Sequence, residues 1–215
     1  MISDSVQLFE TDSPVCFKHI RREGASKLVI SFTGMGKKIP FDFYKTFTSL
    51  GDDYDVLFLS DLDCKFYSYG VKGFANTENE IWMNIFKLGR YKDYYFVGTS
   101  MGGYAAIYQA CSLADYGDVS CDNYKVHTLV FNPYMDPTIK YPYGRDLTKV
   151  LRTSKNLEPI RLIHGGSEAD IFQGNLLRWT LPTETTCYSR CMDHNIAGWM
   201  KNKKLLSPLI ESFLN

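Results

Sequence analysis

The stretch that decides the fold runs from residue 93 to residue 113 and reads DYYFVGTSMGGYAAIYQACSL. It begins with a short apolar run, continues with three glycines around a single serine, and ends with small residues in a helical pattern. Glycine weakens regular structure, so three glycines at one junction indicate a sharp turn or the close approach of another chain segment. The stretch therefore predicts a buried strand, a tight turn at Ser100, and a helix that packs closely on a sheet.

The same alternation of short apolar runs and helical patterns continues along the chain. Apolar runs of about four to eight residues between turn signals are typical of strands that are buried on both faces. Helices between such strands indicate the α/β class, with a mainly parallel central sheet and helices on both faces. The runs at 5–11 and 15–20 flank an Asp-Ser-Pro turn and predict an N-terminal antiparallel hairpin. We expect residues 1–215 to form one domain, with six further strands at 27–33, 55–60, 93–98, 127–132, 160–165 and 185–190.

Composition argues against several kinds of partner. The 24 basic residues balance the 24 acidic ones, so no overall charge favours nucleic acid or an anionic membrane. The basic and aromatic cluster at 87–95 is short and adjoins a predicted buried strand, so we expect no nucleic-acid binding. No apolar stretch is long enough to span a bilayer, and residues 1–15 lack the basic and apolar regions of a signal peptide. The six cysteines show no pairing rhythm, which favours a reduced, cytoplasmic protein.

The segment Gly98-Thr99-Ser100-Met101-Gly102 matches the pattern G-x-S-x-G at a strand-to-helix junction. A serine in this turn has its hydroxyl raised above the carboxyl edge of the sheet, where it can act as a nucleophile. A glycine-rich helix start that binds phosphate is the simpler alternative. A nucleophilic serine needs a base, and in this arrangement an acid and then a histidine follow it along the chain. His194, after the last predicted strand, is the expected base, whereas we expect structural positions for His164, at a strand end, and for His19, in the hairpin.

Three carboxylates are candidates for the acid that orients the histidine. Glu168 and Asp170 follow the strand at 160–165, in the segment GSEADIF. Asp170 also begins a predicted helix, which its side chain can cap while it faces the histidine. Asp136, in NPYMDP, follows the preceding strand. The residues alone leave all three candidates open.

Acyl transfer at a serine also requires backbone N–H groups that bind the oxyanion. We expect one from Met101, directly after the serine, and one from Met35 in FTGMGKK, where flanking glycines allow a tight turn. An ordinary glycine turn is the alternative for Met35. In the segment SDLDCKFYSYG, at 60–70, Asp61 and Tyr67 are candidates for substrate contact, with aromatic packing as the alternative.

Cys187, Cys191 and His194 superficially suggest a zinc site. Their spacing fits no common zinc site, and a fourth ligand is missing from the pattern. We therefore expect no metal at these residues, and serine chemistry of this kind requires no other cofactor.

These segments together give the chain a resemblance to a known superfamily. FTGMG, GTSMGG, IHGGSEAD and DHNIAGWM are similar to the corresponding segments of α/β-hydrolases, over residues 25–215. Within that superfamily the chain more weakly resembles small bacterial hydrolases associated with surface-polysaccharide biosynthesis. That resemblance favours Asp170 as the acid, because the acid of those proteins opens a helix. About 27 residues separate VFN from IRLIHG, which implies a minimal lid and makes long-chain lipids a poor fit.

The residues and the resemblance together predict a serine hydrolase that cleaves a carboxylic ester through an acyl-enzyme. Ser100 is the expected nucleophile, His194 the base, and Asp170 the acid, with Glu168 as the alternative acid. The expected substrate is a small-molecule or saccharide ester with a short acyl group. An acyltransferase or thioesterase, acting on a saccharide or a carrier, uses the same groups. A non-catalytic scaffold of the same fold is the alternative from another class, and the oligomeric state is left open.

Overall fold

A mainly parallel sheet organises the residues that the computed structural model describes, which are 15–35, 41–120, 123–134, 155–180 and 182–215. The strand order across the sheet is β1-β3-β2-β4-β5-β6-β7. β1 pairs with β3 in the antiparallel sense, and every other neighbouring pair is parallel. The strands are β1 (Phe17–Ile20), β2 (Lys27–Phe32), β3 (Tyr54–Leu59), β4 (Asp93–Thr99), β5 (Lys125–Phe131), β6 (Ile160–Gly165) and β7 (Thr183–Tyr188).

Helices cover both faces of this sheet. Three of them contribute buried residues to the apolar cluster on one face: α2 (Glu78–Leu88), α3 (Met101–Ser120) and α4 (Glu168–Thr180). Three further helices among the described residues contribute to the cluster on the opposite face: α1 (Tyr44–Thr48), α5 (Ile196–Asn202) and α6 (Leu206–Leu214). Alternate residues of a strand point to opposite faces, so Leu28 and Ile30 of β2 lie in the first cluster and Val29 lies in the second. Burial on both faces explains why the central strands read as continuous apolar runs.

The helix that follows Ser100 packs closely on the sheet, as the small residues predict. Ala105, Ala106 and Ala110 of α3 are each at most 1% exposed, and they belong to the same cluster as Phe32 of β2. Small side chains allow the helix backbone to approach the strands, which fixes the start of α3 directly above the carboxyl edge of the sheet.

The predicted fold class is confirmed, and each of the six strands predicted after the hairpin is present within two residues of its expected bounds. The run at 15–20 forms β1 and lies at the sheet edge. The other arm of the predicted hairpin, at 5–11, lies outside the described residues, as does most of the predicted minimal lid. Within the part of the chain that the structure describes, no helix combines the length and the apolar character that crossing a membrane requires.

Candidate active site

Ser100 occupies the turn between β4 and α3 in a left-handed backbone conformation, with a φ of 50°. Few residues other than glycine adopt this conformation, and it is often found at functional sites. Backbone hydrogen bonds fix the turn: the Ser100 N–H donates to Phe131 O at 2.9 Å, and Ser100 O accepts from the Tyr134 N–H at 3.0 Å. The serine is thereby held between β4 and the end of β5.

Close backbone contacts explain two of the three glycines around the serine. A Cβ on Gly98 would lie 2.2 Å from Gly102 O, and a Cβ on Gly102 would lie 2.2 Å from Phe32 O. No side chain fits at either position without movement of the backbone. The glycines therefore allow the turn to fold on itself and to touch β2.

The structure brings Ser100, His194 and Asp170 into one chain of hydrogen bonds. His194 Nε2 lies 3.0 Å from Ser100 Oγ, and His194 Nδ1 lies 2.8 Å from Asp170 Oδ1. With a neutral imidazole, Nδ1–H donates to the carboxylate and Nε2 accepts from the serine hydroxyl. The Asp170 side chain is 2% exposed, whereas the His194 side chain is 50% exposed. The acid is thus buried, and the imidazole lies at the surface next to the serine.

Asp170 stands in the first turn of α4, but it does not cap the helix. Ser167 precedes the helix, and its Oγ accepts a hydrogen bond from the Asp170 N–H at 3.2 Å. The expectation that Asp170 serves as the cap is therefore wrong, and Ser167 leaves the Asp170 carboxylate free to face His194. Glu168, on the same turn, is exposed to solvent. Asp136 lies outside the described residues.

The two other histidines that we expected to be structural are held by the fold. His164 is 6% exposed, and its Nδ1 lies 2.8 Å from Gly165 O at the end of β6. His19 lies in β1 with its Nε2 3.8 Å from Asp55 Oδ2, and burial lowers the pKa of His19. Among the described histidines, it is the His194 ring that is hydrogen-bonded to Ser100.

Asp42 links the turn after β2 to the strand that carries the serine. Its Oδ2 accepts from the Gly34 N–H at 3.0 Å and from the Thr99 hydroxyl at 2.7 Å. The Gly34 N–H therefore already donates to Asp42, and the next backbone N–H along this turn is that of Met35. Met101 is the first residue of α3, so its N–H has no partner within the helix. Oxyanion binding by the Met35 and Met101 amides stays a prediction.

Tyr67 is a core residue, and the prediction that it contacts substrate is wrong. Its side chain is fully buried, and its hydroxyl lies 2.9 Å from Thr33 O and 3.1 Å from Leu59 O. Burial raises the pKa of Tyr67 well above its ordinary value. The aromatic ring supports the turn after β2 from within the core, which is the packing alternative that the sequence left open.

Asp61, the second predicted substrate contact, organises its own loop. Its carboxylate accepts hydrogen bonds from the N–H groups of Asp63, Lys65 and Tyr67, at 3.1, 2.7 and 2.8 Å. These bonds hold the turn that directs Tyr67 into the core. A direct contact between Asp61 and a substrate stays a prediction.

Asn132, which the sequence did not single out, joins the segments that carry the acid and the histidine. Its Nδ2 donates to His194 O at 2.7 Å, and its Oδ1 accepts from the Gly165 N–H at 2.9 Å. Asn132 is 1% exposed and has a φ of 42°. An Asn-Pro pair directly after a buried strand was the available signal, because asparagine tolerates this conformation better than most residues.

No protein-family model and no curated protein sequence matches this chain. Solved structures do match it. A Staphylococcus aureus protein of unknown function is 12% identical with a TM-score of 0.60, and the match covers 93% of each chain. A lipase-esterase related protein from Clostridium acetobutylicum is 13% identical with a TM-score of 0.57, over 92% of this chain and 98% of that one. A glycosylation associate protein (Gap123) complex from Streptococcus agalactiae is 13% identical with a TM-score of 0.51, over 87% of this chain and 43% of that one.

At such low identity these similarities concern the fold alone. This chain itself has a mainly parallel sheet, an antiparallel first strand and helices on both faces of the sheet. The chain therefore has the α/β-hydrolase fold.

Proposed function

We propose that the protein is a serine hydrolase that cleaves a carboxylic ester. One observation carries the proposal: Ser100 Oγ, the His194 imidazole and the Asp170 carboxylate are joined by contacts of 3.0 and 2.8 Å. The three residues follow one another as serine, acid and histidine, the order of α/β-hydrolases, at the carboxyl edge of the sheet. A glycine-rich helix start that only binds phosphate needs neither the histidine nor the buried acid.

The reaction follows from these contacts. His194 Nε2 takes the Ser100 proton while Oγ attacks the ester carbonyl, and the N–H groups of Met35 and Met101 bind the resulting oxyanion. The imidazolium then gives its proton to the leaving alcohol, and an acyl-enzyme remains on Ser100. Water, activated by His194, releases the acid and restores the serine. Asp170 maintains the correct tautomer of His194 and stabilises the imidazolium.

The acyl group that we propose is short. Only about 27 residues of sequence separate β5 from β6, whereas long-chain lipids require a large apolar cover. A series of esters of one alcohol with increasing acyl length measures this preference. Higher kcat/KM for acyl groups of about ten carbons than for acetyl would contradict it.

Labelling with a fluorophosphonate tests the proposal directly, because the reagent requires an activated serine. We expect one adduct per chain by intact mass, located at Ser100 by peptide mapping, and no adduct on the Ser100→Ala variant. Ser207→Ala, in the exposed part of α6, is the matched control and should label like the wild-type protein. Labelling that persists in Ser100→Ala would refute the assignment of the nucleophile.

Acyl transfer to a saccharide hydroxyl is the second candidate function. The His194 side chain is 50% exposed, which leaves the acyl-enzyme open to an acceptor larger than water. The Streptococcus agalactiae complex that shares the fold is named for glycosylation, which agrees with a saccharide acceptor. Mass spectrometry of products formed with and without added saccharide separates the two functions, because transfer gives an acylated sugar and hydrolysis gives only the free acid.

A further inference from the structure

The side chain of Asn132 connects three segments that meet at the carboxyl edge of the sheet. Asn132 directly follows β5, Gly165 ends β6, and His194 lies in the loop between β7 and α5. The Asn132 amide accepts from the Gly165 N–H at 2.9 Å and donates to His194 O at 2.7 Å. One amide group thus holds the start of the acid-bearing turn and the backbone of the histidine at a fixed separation.

A second bond strengthens the connection between the same two segments. The Gly166 N–H donates to Cys191 O at 2.7 Å, so the turn that leads into α4 is also tied to the histidine loop. Gly165 has no space for a side chain, since a Cβ there would lie 2.7 Å from Cys191 O and 3.0 Å from Asp170 Oδ2. The backbone next to Asp170 and the backbone of the histidine loop are therefore in direct contact.

The conformation of Asn132 indicates why this position carries an asparagine. Its φ of 42° is one that glycine adopts more easily. Its side chain is nevertheless present, 1% exposed, with both amide atoms hydrogen-bonded. Burial of an amide is favourable only when its hydrogen bonds are made. The backbone strain and the buried amide are both accounted for by the bonds to Gly165 and His194.

Among the described residues, the His194 ring is hydrogen-bonded to Ser100 and Asp170. Half of its side chain is exposed, so packing restrains it weakly, and its position depends on these two contacts and on its own backbone. We propose that Asn132 is a positioning residue for the reaction, which fixes the His194 backbone so that the imidazole spans Ser100 and Asp170. This inference rests on the proposed function. Asn132 itself has almost no exposed surface with which to contact a substrate.

Asn132→Gly is the variant that isolates the hydrogen bonds, because glycine adopts the observed φ without strain. A displacement of about 1 Å in a catalytic group can cost on the order of a hundredfold in rate. We therefore expect kcat to fall by about 10- to 100-fold, with KM nearly unchanged. Lys204→Gly is the matched control, since Lys204 also has a positive φ, of 59°, but is exposed in the turn between α5 and α6. It should retain the wild-type kcat.

A spectroscopic measurement separates positioning from a general loss of stability. The proton between His194 Nδ1 and Asp170 should give a far-downfield signal in proton NMR, identified by its loss in Asp170→Asn. We expect this signal to broaden or disappear in Asn132→Gly and to persist in Lys204→Gly. If Asn132→Gly keeps both the signal and the wild-type kcat, the inference about Asn132 is wrong.

A second variant tests the bond to His194 alone. Asn132→Asp keeps an oxygen for the Gly165 N–H but places a carboxylate opposite His194 O, so it should lower kcat in the same way. If Asn132→Gly does not fold, Asn132→Asp serves as the test in its place. An unchanged kcat in Asn132→Asp would then overturn the inference. Failure of the proposed function is distinguishable, because in that case the wild-type protein itself is not labelled at Ser100.

Discussion

Ser100 combines a strained backbone with an exposed reactive group. The left-handed φ of 50° raises its hydroxyl out of the sheet edge, where His194 Nε2 reaches it at 3.0 Å. If the backbone of Ser100 were extended or helical instead, its side chain would point as the other side chains of β4 or of α3 do. The cost of the strain is offset by the backbone bonds to Phe131 and Tyr134, which hold the serine against the end of β5 and the segment that follows it.

The choice of acid can be decided by two isosteric variants. Asp170→Asn removes the negative charge opposite His194 Nδ1 and lets the imidazole adopt the wrong tautomer, a change that costs about 10⁴ in kcat in chymotrypsin-type enzymes. We expect a loss of about two to four powers of ten in kcat, with KM little changed. Glu168→Gln, on the exposed side of the same helical turn, should cost less than about tenfold. Steady-state kinetics well below the melting temperature measures both, and a larger loss in Glu168→Gln would reverse the assignment.

Residues required by a local turn could be predicted from the sequence, whereas Asn132 and Asp42, whose side chains hold distant segments together, could not. Gly98 is required by a turn of five residues, because a Cβ there would lie 2.2 Å from Gly102 O, so the reason for this glycine is visible in a short stretch. Asn132 and Asp42 act on segments that the sheet brings to them from 62 and 57 residues away. Their importance depends on which strand ends are neighbours. No single segment of the sequence predicts the order of the strands in the sheet.

At the scale of elements, the contact between α3 and β2 fixes the serine relative to the turn after β2. Gly102 is the point of contact, since a Cβ there would lie 2.2 Å from Phe32 O and 2.8 Å from Thr33 C. Both of these atoms belong to the backbone, so a rotamer change cannot relieve the clash. The separation between the helix and the strand is therefore set by the absence of one side chain.

Gly102→Ala tests this contact. The added methyl group must push α3 away from β2, and we expect it to lower the free energy of unfolding by about 3 kcal/mol or more and to reduce kcat. Gly51→Ala is the matched control, because a Cβ at Gly51 would meet no atom within 4 Å. Urea denaturation of both variants measures the difference. Equal unfolding free energies for the two variants would show that α3 can move without cost.

The wrong prediction that Tyr67 contacts substrate also has its cause in how one element, the loop after β3, is folded. An aromatic residue in a loop at the carboxyl edge of a sheet resembles a pocket residue in sequence. The carboxylate of Asp61 turns that loop inward through three backbone N–H groups, and the ring enters the core beneath Thr33. The direction in which a loop side chain points depends on such bonds, and periodicity does not report them.

At the scale of the whole molecule, the parallel sheet brings together groups that are distant in the sequence. Ser100 and His194 are 94 residues apart, and they meet because β4 and the loop after β7 end on the same edge. The predicted alternation of strands and helices was sufficient for this conclusion, since the carboxyl ends of parallel strands share one edge. The opposite end of the sheet carries a different cluster of polar groups, which bears on stability.

That cluster centres on Asp55 at the start of β3, beneath the edge strand β1. Asp55 is 3% exposed, its Oδ2 accepts from the Tyr91 hydroxyl at 2.6 Å, and its Oδ1 accepts from the Arg22 N–H at 2.6 Å. His19 Nε2 is buried and lies 3.8 Å from Asp55 Oδ2, and it makes no hydrogen bond to the described residues. Burial lowers the pKa of His19, and the positive charge of Arg21 acts in the same direction, against the opposing effect of Asp55.

A lowered pKa makes the folded protein sensitive to mild acid. Below the ordinary histidine pKa of 6.5, the unfolded chain binds a proton at His19 that the folded protein takes up only at lower pH. The contribution of neutral His19 to stability is therefore complete above about pH 6.5 and is lost as the pH falls. The pKa values of the Asp53 and Glu158 carboxyl groups are lowered from 3.8 and 4.5, so these groups stay ionised between about pH 7.5 and 5.5. Within that interval, histidine is the side chain whose ordinary pKa lies in the range.

We therefore expect the free energy of unfolding to decrease as the pH is lowered across this interval. The decrease should be smaller in His19→Gln, because glutamine cannot take up the proton. Denaturant titrations at several pH values, on both proteins, give the two slopes. His19 lies beside Asp55 at the end of the sheet opposite to the active site, so the activity of His19→Gln should follow that of the wild-type protein wherever both are folded. Parallel slopes for the two proteins would mean that another group, and not the buried imidazole beside Asp55, makes the fold sensitive to acid.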